Sequence, residues 1–224
     1  METFVIGDIH GRIEALKEVL SLCKFDYDND KLIVLGDIAD GGYNTYEVVE
    51  ELLKIKNIVY IIGNHDVWFM DYMKSGWSED IWLSQGGKNT INSYAQFKYM
   101  IPVTHQNFFN NGVYYYIQDN KLYVHGGYNP KFPIEKQDRQ TLTWDRDLIE
   151  RCRNGLKIKE YERVFVGHTT TQTYHYDEPV RFGKLIMMDC GAGWLGKLAI
   201  MNVNTEEYWL SKIQVPAREI ENEE

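Results

Sequence analysis

Three times between Met1 and Asp66 the chain passes from a short apolar run into a polar loop that contains glycine, and then into helical periodicity. The apolar runs are Thr3–Ile6, Leu32–Leu35 and Ile58–Ile62. The loops read Gly7-Asp8-Ile9-His10-Gly11, Gly36-Asp37-Ile38-Ala39-Asp40 and Gly63-Asn64-His65-Asp66. Strand, polar turn and helix in succession make parallel βαβ units. In such a sheet the loops after the strands gather at the carboxyl edge, where ligands bind. Three loops rich in Asp, His and Asn therefore converge on one place, which is a metal site in outline.

The rest of the chain adds to this frame. Ile13, Leu16, Val19, Leu20 and Cys23 recur at spacings of three and four, so Arg12–Lys24 is expected to be an amphipathic helix. Asn44 is placed to cap a second helix through Tyr46, Val49, Leu52 and Leu53. From Val67 to Asn111 the texture changes to two or three short helices. Gly86-Gly87 breaks them, and Trp68, Phe69, Trp77, Trp82, Tyr94 and Phe97 are the candidates for burial. This stretch is expected to be an insertion that caps one side of the site, or a helical layer on the sheet, or both. Val113–Gln118 and Lys121–Val124 form a hairpin around Asp119-Asn120 and deliver His125-Gly126-Gly127. Thr143-Trp144-Asp145-Arg146 opens a helix to about Cys152, and the strand Val164–Val166 ends in Gly167-His168-Thr169. Val180–Phe182, Leu185–Asp189, Lys197–Val203 and Glu207–Leu210 read as further strands.

A chain of 224 residues suits one domain, expected over residues 1–216, with the helical insertion at about 67–111 and an acidic, disordered tail over 217–224. There is no internal repeat or dividing linker. The net charge of −9 argues against capture of duplex nucleic acid, which needs a basic face. It leaves room for a small phosphorylated substrate, because bound cations reverse the local sign. Cys23, Cys152 and Cys190 are odd in number and far apart, so neither a disulfide framework nor a zinc framework is indicated. A first strand so close to Met1 and the absence of a long apolar run give the expectation of a cytoplasmic enzyme with no membrane partner.

Of the six histidines, His10, His65, His125 and His168 each stand in a loop beside glycine, directly after or one residue beyond a strand. One such histidine is commonly structural. Four in equivalent positions, joined by Asp8, Asp37, Asp40 and Asn64, point to a metal centre. Mixed oxygen and imidazole donors without thiolate suit Mn, Fe or Zn and disfavour a structural zinc site. Set apart from His65 and Asp40, the other six are candidate ligands, more than one tetrahedral ion needs and enough for two. Two ions about 3.5–4 Å apart can clamp a phosphoryl group and make water a nucleophile at neutral pH.

The ordered motifs GDIHG, GDIAD, GNHD, HGG and GHT resemble those of the calcineurin-like metallophosphoesterases, and more narrowly the short bacterial and phage form of the phosphoprotein phosphatases. They run from Gly7 to Thr169. The resemblance implies a four-layer α/β/β/α sandwich of two mixed sheets flanked by helices, with a small helical cap. It implies that Asp8 and His10 hold the first metal, that Asp37 bridges both, and that Asn64, His125 and His168 complete the second. The ions would most simply be Mn²⁺, with Fe or Zn as alternatives. His65 corresponds to the general acid, and Asp40 orients its ring and favours the imidazolium. Asn64 and Arg146 correspond to residues that contact the phosphate, and Asp66 to one that supports the ligands.

One position departs from the family pattern. Its second motif continues Asp-Arg-Gly, whereas this chain reads Asp40-Gly41-Gly42. A missing charge-assisted fork weakens phosphate binding by roughly 1.5–3 kcal/mol, and Arg12 is the candidate to reach in instead. The resemblance gives a phosphoserine or phosphothreonine monoester as the expected substrate, in a protein or peptide. The departure and the aromatic insertion motivate an alternative, a nucleotide hydrolase or phosphodiesterase acting on dinucleoside polyphosphates or on cyclic or terminal RNA phosphates. Tyr114-Tyr115-Tyr116 with Tyr94, Phe97, Phe108 and Phe109 would be its aromatic platform. A binding module on a degenerate fold is the third reading, and all six ligand positions oppose it.

Overall fold

The computed structural model describes residues 1–212, so the tail expected over 217–224 lies outside the described residues. Two five-stranded mixed sheets stand face to face with helices on both outer sides. The first sheet has the order β10-β9-β1-β2-β3, built from β1 (Thr3–Ile6), β2 (Lys31–Val34), β3 (Asn57–Tyr60), β9 (Ala199–Asn202) and β10 (Tyr208–Leu210). The second has the order β4-β5-β6-β8-β7, from β4 (Tyr115–Gln118), β5 (Lys121–Val124), β6 (Arg163–Val166), β7 (Val180–Phe182) and β8 (Leu185–Met187).

Within each sheet three neighbouring strands run parallel. In the first, β1 pairs β2 with Phe4 opposite Leu32, and β2 pairs β3 with Leu32 opposite Ile58. In the second, β5 pairs β6 with Leu122 opposite Val164, and β6 pairs β8 with Val164 opposite Leu185. Six loops therefore leave the carboxyl ends of six strands, and the site is assembled from them. β1, β5 and β8 are short and wholly buried, which is why they read as continuous apolar runs rather than as alternating ones.

The period-two alternation of side chains divides the interior. Val5, Ile33 and Leu35 of the first sheet meet Tyr123, Phe165, Ile186 and Met188 of the second in the layer between the sheets. Phe4, Ile6, Leu32 and Val34 face outward onto α1 (Ile13–Leu22) and α2 (Thr45–Leu52). Leu122, Val124, Val164 and Val166 face the opposite way onto α7 (Arg139–Trp144) and α8 (Asp147–Arg153). The expected four layers are present.

The helical insertion comprises α3 (Asn64–Ser75), α4 (Asp80–Trp82), α5 (Lys88–Ser93) and α6 (Val103–Asn110); the short α9 (Ala192–Leu195) follows β8. Both expectations for the insertion hold. Phe69, Trp82, Tyr94, Phe108 and Phe109 extend the core on the outer face of the first sheet, while residues at its start and middle line the site. The kink falls where Gly86-Gly87 predicts it, with Gln85 and Gly86 outside helical geometry. Trp77, expected to be buried, is 65% exposed beyond the α3 terminus.

Two further local expectations are corrected. Asn44 precedes α2, but its backbone (φ −120°, ψ 37°) lies outside the extended conformation from which a capping side chain reaches, and it makes no side-chain cap bond. The single helix expected from Thr143 to Cys152 is two helices, interrupted at Asp145 and Arg146. The first begins earlier because Asp138 Oδ1 accepts the Thr141 N–H at 2.6 Å. That break frees Arg146 from a helical face. At the hairpin, Asp119 and Asn120 both have positive φ (49° and 58°), the primed turn that their identities favour. Among the described residues no helix is long and apolar enough to cross a membrane.

Candidate metal centre and active site

Five of the strand-end loops bring the expected residues together: β1 gives Asp8 and His10, β2 gives Asp37 and Asp40, β3 gives Asn64 and His65, β5 gives His125, and β6 gives His168. The sixth, after β8, delivers Asp189, which the sequence reading did not assign although it too is a carboxylate at the end of a buried strand. A cavity of about 220 Å³ opens over this cluster. Its lining includes His10, Asp37, Asn64, His65, His168 and Asp189, with Arg146, Trp144, Trp194 and Gln85 toward the mouth.

Ligand atoms of Asp8, His10 and Asp37 lie within 4.8 Å of one another, and so do those of Asp37, His125 and His168. Asp37 belongs to both groups, the position of a bridging carboxylate. The imidazoles are oriented from behind. His125 Nδ1 bonds the Leu35 carbonyl at 2.7 Å and His10 Nδ1 the Ala39 carbonyl at 3.1 Å, which turns each Nε2 inward toward Asp37. Asn64 Oδ1 is 3.0 Å from His125 Nε2, at the second group. Asp8 Oδ1 and His168 Nε2 are buried without a hydrogen-bond partner. Buried polar atoms are ordinarily satisfied, so two orphans aimed at one cluster of donors fit divalent cations. The residues present therefore suit two ions.

The backbone is bent to make this cluster. His10, Asp37, Asp40 and His168 all have left-handed φ, 48°, 46°, 71° and 62°. Non-glycine residues held there cost on the order of 1–3 kcal/mol each and collect at functional sites. Two glycines are required by close approach, since a Cβ at Gly63 would stand 2.1 Å from Asp37 Oδ1 and one at Gly167 2.1 Å from Asp8 Oδ1.

The titration of these groups follows from crowding. Burial, then Asp189 and Asp37, push the Asp8 carboxyl well above the usual range. Burial opposes ionisation of Asp37 as well, but the His125, His65 and His10 imidazoles outweigh it and hold Asp37 below that range. Burial lowers His10 to about 4 and His168 to about 3, so both are neutral, as ligands must be. Asp66 accepts the Ile38, Ala39 and Gly63 N–H groups at 2.9, 3.2 and 3.0 Å, so it supports the Asp37 loop as expected and is not among the ligand groups.

His65 Nδ1 is 2.7 Å from Asp40 Oδ2. Burial would lower the imidazole pKa, yet Asp37 and Asp40 raise it overall, which favours the protonated ring. What holds Asp40 is the helical insertion. Trp82 Nε1 donates to Oδ2 at 2.8 Å, and Thr90 Oγ1 donates to Oδ1 at 2.7 Å while accepting the Asp40 N–H at 2.7 Å. Asn89 Nδ2 donates to the Gly41 carbonyl at 2.6 Å. Sequence reasoning missed Trp82 and Thr90 because their partner is 42 and 50 residues away and neither carries a local motif.

Arg12, the expected substitute for the absent motif arginine, is not among the residues lining the cavity. Its Nε donates to Ala192 O at 3.1 Å and its NH2 group to Gly193 O at 2.9 Å, tying the loop after β8 to α1. Cys190, in that same loop, is buried and its thiol is pushed up by burial, which disfavours the reactive thiolate.

A model of the calcineurin-like phosphoesterases matches residues 1–191. The chain belongs to that family. A symmetrical bis(5'-nucleosyl)-tetraphosphatase of Nitrosospira multiformis is 24% identical over 185 residues, 81% of this chain and 62% of that protein. One from Coxiella burnetii is 35% identical over 68 residues, 30% of this chain and 23% of its own length. The chain thus matches less than two thirds of these curated relatives. Among solved structures, one provisionally assigned as a diadenosine tetraphosphatase superposes with a TM-score of 0.70 at 19% identity, covering 94% of this chain and 92% of its own. A protein serine/threonine phosphatase from Saccharomyces cerevisiae gives 0.57 at 17% identity, covering 97% and 82%. At such identities both establish the shared fold.

Three outcomes are expected of this centre. Ionised Asp8 is destabilising without metal, because a raised folded pKa makes that carboxyl favourable only while protonated. Asp8→Asn should therefore raise the melting temperature of the metal-free protein at pH 7.5 by about 2–4 °C and remove the further rise on adding Mn²⁺, as read by scanning calorimetry. Metal competes with protons for Asp8 and for His125, whose pKa burial would lower but Asp37 raises overall, whereas His10 and His168 are already neutral above pH 5. Calorimetric Mn²⁺ affinity should accordingly increase from pH 6 to pH 8 with proton release. Finally, Thr90→Val should lower kcat on p-nitrophenyl phosphate about tenfold, equivalent to about 1.4 kcal/mol, with Thr90→Ser retaining activity at saturating metal.

Proposed function

We propose that this chain is a metal-dependent nucleotide hydrolase whose preferred substrates are dinucleoside polyphosphates, with Mn²⁺ as the working ion. The observation that carries this reading is Gly41. Its φ is +71°, and a Cβ there would stand 3.2 Å from both Gly193 Cα and His10 Cβ, so the loop is packed against a side chain rather than merely lacking one. Among the described residues lining the cavity, Arg146 alone has a permanent positive charge. A terminal phosphomonoester brings two negative charges to such a site. An internal phosphoryl of a polyphosphate chain, bridged on both sides, brings one. A site short of one guanidinium suits the second. Trp144 and Trp194, 39% and 50% exposed beside the cavity, offer flat surfaces to a base. The names of the curated relatives agree with this choice over the phosphoprotein expectation.

In this reading Asp8, His10 and Asp37 would hold one ion, and Asp37, Asn64, His125 and His168 would hold the other. When bound, the ions activate water and neutralise phosphoryl charge. Arg146, released from a helical face by the break at Asp145, presents its planar fork to the non-bridging oxygens. His65 carries a proton for the bridging oxygen of the departing nucleotide, and Asp40 fixes its ring and stabilises its charged form. Trp82 and Thr90 stabilise the buried Asp40 carboxylate through hydrogen bonds and keep it aligned.

The test is a parallel measurement of kcat/KM, with Mn²⁺, on diadenosine tetraphosphate, a phosphothreonine peptide and a 2′,3′-cyclic nucleotide. The dinucleotide should lead the peptide by about 100-fold or more, a discrimination that specific polar contacts readily supply. A comparable lead for the peptide would return the assignment to a protein phosphatase.

A further inference from the structure

A second cavity, of about 340 Å³, adjoins the first and takes no part in the chemistry described above. Trp144 lines both. Its walls come from two helices that also serve the reaction: α3, which begins with Asn64 and His65, and α7, which ends just before Arg146. α3 presents Val67, Met70 and Lys74, residues three and four apart on one face. α7 faces them with Arg139 and Trp144, and Tyr114, just before β4, completes the lining. The cavity is thus a groove along α3 that meets the first cavity at Trp144. Lys74 lies nine residues beyond His65, about 14 Å along the helix axis.

The boundary between the two cavities is aromatic. The Trp68 ring is 5.1 Å from that of His65 and 5.3 Å from that of Trp144, and Trp144 is 5.5 Å from His168. A group leaving on the His65 side therefore meets these rings and then the groove. We propose that the groove binds the departing nucleotide of a dinucleoside polyphosphate, its phosphates against Arg139 and Lys74 and its base beside Tyr114. This inference rests on the nucleotide reading of the active site.

The chemistry of the groove matches that occupant. In a chain of net charge −9 it gathers two cations. The Arg139 guanidinium lies 5.1 Å from the Tyr114 ring centre, and among the described residues no carboxylate forms an ion pair with it, so its donors are available to phosphate. Lys74 is 3.8 Å from Asp71, an exposed pair that a phosphate can rearrange at little cost. Asp71 and the Gln140 amide also line the groove and supply hydrogen-bonding groups for a base edge, while Val67 and Met70 supply apolar contact. Of the aromatic residues suggested by the sequence as a platform, Tyr94, Phe108 and Phe109 are core residues, whereas Tyr114 lines the groove.

The experiment is steady-state kinetics of Arg139→Ala and Lys74→Ala with diadenosine tetraphosphate, with a phosphothreonine peptide and with p-nitrophenyl phosphate, whose leaving group is too short to reach the groove. Melting temperatures serve as the folding control. The expected result is a fall of about tenfold in the ratio of kcat/KM for the dinucleotide to that for p-nitrophenyl phosphate, carried by KM, since each variant removes a contact to a charged group. If the wild-type enzyme cleaves the dinucleotide and the variants keep its ratio, the groove assignment is overturned and the functional reading stands. If the wild-type enzyme does not cleave the dinucleotide, both are overturned. A selective loss on a phosphothreonine peptide would overturn the nucleotide and assign the groove to peptide instead.

Discussion

The structure is governed by a concentration of negative charge in its interior. Asp8, Asp37, Asp40, Asp66 and Asp189 are all buried around one cavity, where water cannot screen them. The fold answers with backbone donors: His168 N–H to Asp8, His65 N–H to Asp37, Gly191 N–H to Asp189, and three amides to Asp66. Each amide belongs to a loop at a strand end, so the sheets must hold those loops in register before the charges can be tolerated. Cations complete the balance. Sheet order, left-handed turns and glycine placement all serve that one electrostatic requirement.

The parallel arrangement explains why so much of the centre was legible. A strand buried on both faces reads as an apolar run, and a parallel strand can only end at the common edge, so Asp8, His10, Asp37, Asn64, His65, His125 and His168 could be assigned to one place from order alone. The same rule applied to Leu185–Met187 would have found Asp189. Local signals did less well where tertiary packing decided the outcome. Arg12 looked free to turn inward, but the carbonyls of Ala192 and Gly193, remote in sequence, claim its guanidinium. Asn44 has the right identity for a cap and the wrong backbone. Trp77 had no periodic partner to mark it as surface.

The choice between substrate classes rests on what surrounds an ordinary catalytic core. Family membership follows from the match over residues 1–191, and the structures that share this fold include a protein serine/threonine phosphatase and one provisionally assigned as a diadenosine tetraphosphatase. Under the proposed function discrimination falls to the rim, where this chain has the tightly packed Gly41 and the exposed indoles of Trp144 and Trp194. The nucleotide proposal takes that rim to trade charge for shape.

The hydrogen bonds from Trp82 and Thr90 to Asp40 have a consequence for the dynamics of the molecule. The carboxylate that holds the His65 ring is itself held by a segment that belongs to neither sheet and that bends at Gln85 and Gly86. Opening of that segment alone, with both sheets intact, would free the Asp40 side chain and with it the His65 ring, while Asp8, Asp37, His125 and His168 stayed in place. Amide exchange in residues 80–93 would therefore gauge how often the His65–Asp40 pair is intact.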